Sequence, residues 1–370
     1  MATDPGPTPN PKPAKGIDER LARQAAKSAE RLARKAGNPR LRPGKKAGLL
    51  AGVAGLSAVG TVAGVSAARA LRHKEYIEDA YVGEDFALLE ADRGCVITTP
   101  DGVPLVVREV GPVTAPLTVV FAHGFCLRMG SFHFQRAALA EQWGEQVRMV
   151  FYDQRGHGSS TLGTGPISID RLGLDLAVVL ERLDVNDVVL AGHSMGGMTI
   201  QALAKVRSDV LAGRVSGVVL ASTAAHTGNL RVPPLAAKAF LGEARSRRLA
   251  KRPVSSDRRV VGAEVHRSHL EATQAAMLAT SGAARAGFLV AMSRMDYRPT
   301  LDNIQVPTRL LVGTRDALTP PRRARELNDG IRAARLDVLP DYGHMLPLEA
   351  PEVLIATIED LVRQTVTSFC

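Results

Sequence analysis

The chain has 370 residues, 45% hydrophobic and 23% charged, so it can bury a sizeable core and is not wholly disordered. Its net charge is +10, yet residues 1–74 hold 15 Lys/Arg against 4 Asp/Glu, and the rest of the chain holds 32 against 33. The surplus belongs to a tail, which removes the global-charge reason for a nucleic-acid partner. Cys95, Cys126 and Cys370 are too few for a disulfide framework, and none sits at CxxC spacing.

Residues 1–46 read as a basic tail. Pro5, Pro7, Pro9, Pro11 and Pro13 exclude a helix at its start. Residues 17–37 fit a basic amphipathic helix or a solvated, disordered arm. Residues 47–68 carry no charge. As a helix rising ~1.5 Å per residue they reach ~33 Å, enough to cross a bilayer's hydrocarbon core. Gly48/Gly52 and Gly60/Gly64 repeat the small-residue spacing of packed membrane helices. We expect the 47–70 segment to be a membrane anchor. The alternatives are an Ala/Gly linker, a soluble helix, or a signal peptide cut near the Ala68, Arg69, Ala70 match. Lys and Arg dominate before the run, and Glu75, Glu78, Asp79, Glu84 and Asp85 follow it. The positive-inside rule then leaves the tail in the cytoplasm and the body, 75–370, on the outer side. A cytoplasmic or secreted chain is the alternative location.

From Cys95 onward the pattern changes. CVITT and PLVVREV flank Pro100, Asp101 and Gly102, a turn signal, and predict an antiparallel hairpin. Short apolar runs at 118–124, 148–154, 187–193, 216–222, 308–314 and 335–339 predict strands. Stretches at 134–143, 167–183, 195–206 and 322–331 predict helices. Continuous apolar strands alternating with helices imply a mostly parallel α/β sheet covered on both faces. Residues 223–300 break the alternation and read as a helical cap inserted between two strands.

The decisive segment is VVLAGHSMGG. It places G-x-S-x-G at 192–196, after a strand and before a helix. A sharp strand-to-helix turn exposes the Ser194 hydroxyl beside the free amides of a helix start. Serine needs a base, and His344 follows the last predicted strand; Asp316 follows the strand before it. The chain order Ser194, Asp316, His344 is that of a nucleophile, an orienting acid and a general base. FAHGFC at 121–126 follows an early strand. There the Phe125 amide is the expected oxyanion donor, paired with the Met195 amide. His266 and His269 stand three apart in the insertion, with Glu264 and Glu271 near. With no third histidine or cysteine they read as a surface helix rather than a metal site.

These motifs carry a resemblance. From about residue 95 the chain resembles α/β-hydrolase-fold serine hydrolases, and GHSMGG with DQRGHGSS at 153–160 is similar to monoglyceride-lipase, lysophospholipase and esterase-like members. The resemblance implies no cofactor and no metal. It implies supporting roles around the site for His123, Gly124, Asp153 and His193. Serine at 194 disfavours epoxide hydrolases and haloalkane dehalogenases, which place Asp there. The expected reaction is cleavage of a small apolar carboxylic ester through an acyl-enzyme. Carbon–carbon hydrolysis, perhydrolysis, aminopeptidase action on the same residues, or a non-catalytic tethered binding module are the alternatives.

Leu235, Phe240, Leu241, Met277, Leu278, Phe288, Leu289, Met292 and Met295 in the insertion suggest an adaptable apolar acyl pocket. Arg245, Arg247, Arg248, Lys251, Arg252, Arg258 and Arg259 suggest a strip for an anionic membrane surface or an acidic substrate. A solvated face is the plainer reading.

Overall fold

The computed structural model describes residues 79, 81–84, 86, 88–228, 231–241, 261–262 and 266–367. The expectations placed on 1–46, on the 47–70 anchor and on the basic strip at 245–259 lie outside the described residues. No single helix among the described residues is long and apolar enough to cross a membrane.

Eight strands form one sheet: β1 (Arg93–Thr98), β2 (Pro104–Val110), β3 (Leu117–Ala122), β4 (Val147–Tyr152), β5 (Val188–His193), β6 (Val215–Ala221), β7 (Thr308–Gly313) and β8 (Ala334–Leu339). Their order is β1-β2-β4-β3-β5-β6-β7-β8. β1 and β2 form the hairpin, β2 meets β4 antiparallel, and every pair from β4 to β8 is parallel. β3, β4 and β5 are buried along their whole length, which is why their sequences are apolar apart from Thr118, Arg148 and His193.

Alternate residues of those strands serve two cores. On one face Val120, Val150, Leu190 and Leu220 pack beneath α2 (Ile169–Arg182) and α3 (Met195–Val206), through Leu172, Leu176, Ile200 and Leu203. On the other, Val119, Phe121, Phe151 and Val219 pack beneath α1 (His133–Trp143) and α10 (Pro351–Thr367), through Leu139, Leu354, Ile358 and Leu361. α2 begins where the sequence provides a cap: the Ser168 hydroxyl accepts from the Arg171 amide at 3.1 Å. α8 (Pro321–Gly330) starts on a proline, whose missing N–H is harmless in the first turn. Two short helices escape the pattern reading, α4 (Ser208–Arg214) and α9 (Leu346–Glu349).

The long connection from β6 to β7 contains α5 (Pro234–Leu241), α6 (Arg267–Ala279) and α7 (Gly282–Met292). Phe288 of α7 is fully buried in the same core as α2 and α3, while Ala237 of α5 packs with Ala286 and Leu289. Leu235 is 80% exposed. His269 corrects the surface reading of α6. It is 5% exposed, because Tyr81 and Phe86 of the segment ahead of β1 stack against it together with Phe134. Among the described residues no group of three or more His, Cys, Asp or Glu side chains is placed to hold a metal ion.

Candidate active site

The carboxyl ends of the parallel strands point to one rim, and the loops there carry the predicted residues. In such sheets this is where a crevice forms. Ser194 follows β5 with φ 52° and ψ −115°, a left-handed conformation unusual for a residue with a side chain. Neighbours enforce it. The Ser194 amide donates to Ala221 O at 2.9 Å, and its carbonyl accepts from the Thr223 hydroxyl at 2.7 Å and the Met198 amide at 3.1 Å. The turn throws the hydroxyl toward the rim.

His344, on the loop after β8, meets it: His344 Nε2 lies 2.9 Å from Ser194 Oγ. His344 Nδ1 lies 2.9 Å from Asp316 Oδ2, on the loop after β7. All three are buried, at 8%, 5% and 2% exposure. The carboxylate fixes the tautomer: Nδ1–H donates to Asp316, and Nε2 keeps the lone pair facing the hydroxyl.

Asp316 is itself held. Oδ1 accepts from the amides of Leu318 and Thr319 at 2.9 and 2.8 Å, and Oδ2 also accepts from the Thr319 hydroxyl at 2.8 Å. Burial acts to raise its pKa, but the facing His344 and the Thr319 donors outweigh it, so the carboxyl sits below its usual 3.8. It closes a tight turn in its own loop; the cap position of α8 is Pro320.

Phe125 lies on the loop after β3, and Met195 opens α3. Neither amide donates to an acceptor within the described residues. The loop and the helix are pressed together at Gly196, where a Cβ would stand 1.8 Å from Ala122 O. The Phe125 side chain packs both against the core and against the Ala237, Ala286 and Leu289 cluster.

The surrounding residues hold backbone. His123 donates from Nδ1 to Gly124 O at 2.8 Å and accepts the Gln154 amide on Nε2 at 2.9 Å. Burial pushes its pKa down to about 4, so the ring is neutral. Gly124 faces His193, and a Cβ there would lie 2.9 Å from His193 Nδ1. The reach of His193 is not local: its Nε2 lies 2.8 Å from the carbonyl of His344, 151 residues away. Buried Asp153 accepts the amides of Met129 and Ser159, each at 2.8 Å.

Residues 119–357 match the model of the Alpha/beta hydrolase family. The chain belongs to that family.

Three proteins similar to it are the following. 3-Oxoadipate enol-lactonase 2 of Acinetobacter baylyi is 27% identical over 60% of this chain and 84% of its own length. A bifunctional esterase/perhydrolase of Acinetobacter calcoaceticus is 27% identical over 72% of this chain and 99% of its own. The crystal structure of an enol-lactonase from Burkholderia xenovorans superposes with a TM-score of 0.62 at 26% identity, covering 73% of this chain and 100% of that one.

Two residues of this α/β hydrolase escaped the sequence reading, and a third was marked only as part of a supporting loop. Thr319 and Glu349 stand three and five positions after Asp316 and His344, at offsets where a loop can turn back on itself. Gln154, inside the DQRGHG run, accepts from the Thr199 hydroxyl of α3 at 2.7 Å, and its amide group reaches His123 O. It ties the loop after β3 to the helix that follows Ser194.

Proposed function

We propose that this α/β hydrolase is a serine hydrolase that cleaves a carboxylic ester of an apolar acyl group through an acyl-enzyme. The reading rests on one observation: a serine in a strained turn, a histidine and a carboxylate joined by two 2.9 Å contacts. Ser194 Oγ attacks the ester carbonyl carbon as its proton passes to His344 Nε2. The Phe125 and Met195 amides receive the oxyanion. His344 returns the proton to the departing alkoxide, leaving Ser194 acylated. Water then attacks the acyl carbon, gives a proton to His344, and the carboxylic acid leaves as Ser194 recovers its hydrogen. Asp316 holds the ring and offsets the charge of the imidazolium.

Relatives named as esterases and enol-lactonases support an ester bond, a lactone being a cyclic ester. Phe125, Phe288, Met292 and Met295, gathered on one core cluster, favour an apolar acyl group, with the β6–β7 connection as the cap over it. Perhydrolysis is the second reading. It keeps the acyl-enzyme and lets hydrogen peroxide take the place of water, as the relative named esterase/perhydrolase suggests. Residues 47–68 serve in this reading as a tether, with the catalytic body on the outer side of the membrane. Recovery of the full chain in the soluble fraction of gently lysed cells refutes the tether.

The test of the chemistry is Ser194→Ala. Turnover of a short p-nitrophenyl ester falls by at least about 10³-fold, fluorophosphonate labelling is lost, and the circular dichroism spectrum is unchanged. Retained turnover refutes the assignment.

A further inference from the structure

The loop that carries His344 is held by a residue no part of the proposed reaction uses. We infer that Glu349 is a positioning residue: it fixes the backbone on both sides of His344 and locks the β6–β7 connection onto the same loop. The inference rests on the reading of Ser194 and His344 given above.

Glu349 ends the four-residue helix α9. Its Oε1 accepts the Met345 amide at 2.7 Å. Its Oε2 accepts the Gly343 amide at 2.9 Å and the Gly262 amide at 2.6 Å. The amides before and after His344 thus end on one carboxylate, while the His344 carbonyl is taken by His193. The peptide bearing the imidazole is gripped at three points.

The third amide, from Gly262, brings in the β6–β7 connection. There the two backbones touch with no room for side chains. A Cβ on Gly343 would lie 2.5 Å from both Gly262 N and the Val261 carbonyl carbon. A Cβ on Gly262 would lie 2.5 Å from Asp341 O and 2.6 Å from Glu349 Oε2. Val261 is buried with Met345, Leu348 and Leu127, and Leu127 sits two residues past Phe125. One small cluster therefore joins the connection, the His344 loop and the loop of the oxyanion donor.

Only a carboxylate presents acceptors at both oxygens. A glutamine puts an NH₂ at one of them, where it faces amide donors.

The experiment compares Glu349→Gln and Glu349→Asp with the parent full chain, using a p-nitrophenyl ester and fluorophosphonate titration of active sites. Glu349→Gln lowers kcat per titrated site by about 10- to 100-fold and leaves KM within about threefold. Glu349→Asp keeps the charge but is one methylene too short for all three amides. It too lowers kcat per titrated site. A merely structural role predicts fewer titrated sites and an unchanged kcat per site, and that result overturns the inference. Where Glu349→Gln does not fold, Glu349→Asp decides, and an unchanged kcat per site overturns it. A parent that fails to label refutes the serine hydrolase reading instead.

Discussion

Gly196 is the residue at which packing and proposed catalysis can be separated by a single methyl group. In Gly196→Ala the new Cβ would stand 1.8 Å from Ala122 O, 2.4 Å from Ala122 C and 2.9 Å from His123 O. All three are backbone atoms at the end of β3, so no side chain can turn aside. Ordinary contact lies near 3.4 Å, so the helix start and the strand end must separate by about 1.6 Å. Met195 precedes the substituted residue, and its amide moves with the helix. A hydrogen bond stretched by that much is lost. Removal of one oxyanion donor lowers kcat by about 10²- to 10³-fold, or about 3–4 kcal/mol of barrier. The overpacking lowers stability by about 1–3 kcal/mol. Steady-state kinetics on a p-nitrophenyl ester, normalised to folded protein, and urea unfolding read the two effects separately. Gly213→Ala is the control, because a Cβ there meets nothing within 4 Å, and it leaves kcat unchanged. A Gly196→Ala enzyme whose kcat stays within about threefold of the parent refutes the placing of the Met195 amide in the oxyanion site.

Two further predictions address the electrostatics. In Asp316→Asn the Leu318 and Thr319 amides keep the side-chain oxygen at the Oδ1 position, so the NH₂ is driven toward His344 Nδ1. That forces the wrong tautomer, with Nε2–H facing Ser194. Activity falls about 10⁴-fold with little change in KM, and a loss under tenfold refutes the geometry. His157 is 1% exposed, and burial, with His123 nearby, lowers its pKa from 6.5 to about 3. The folded state thus binds fewer protons than the unfolded state, and stability is lost as pH falls below 6.5, by about 1.4 kcal/mol per pH unit. Between pH 7 and 4.5, His157→Gln loses about 2–3 kcal/mol less stability than the parent in urea unfolding. Equal losses refute the neutral, buried assignment.

The strands were legible because the centre of this sheet is covered on both faces. A run such as 118–124 has no polar side to turn outward, and β3 occupies Leu117–Ala122. The sheet order was not legible. Nothing local in 104–110 says that β2 lies beside β4 rather than β3, since that pairing depends on where chain segments dozens of residues apart settle. His269 misled for the same reason. Its burial comes from Tyr81 and Phe86, almost two hundred residues earlier, and a helix-face pattern cannot register a covering segment so distant.

Within the site the dividing line is chemical. A group proposed to form or break bonds is restricted in type, so a hydroxyl, an imidazole and a carboxylate in the right loops announce themselves from sequence. A group that holds backbone amides needs only an acceptor at the right height. Glu349 therefore looks like any other polar loop residue until the amides it serves are located, and Thr319 until its carboxylate partner is; Asp153 stood out only through the family resemblance. Asp153, Gln154 and Glu349 each tie a loop of the rim to another segment, and Thr319 braces Asp316 within its own loop. Asp153 fixes the turn before α1, Gln154 joins the loop after β3 to α3, and Glu349 joins the loop after β8 to the β6–β7 connection. The proposed reactivity of this rim resides in side chains, and its geometry in hydrogen bonds made to the main chain. Substitutions at the second set should for that reason lower kcat while leaving the labelling residue and its chemistry the same.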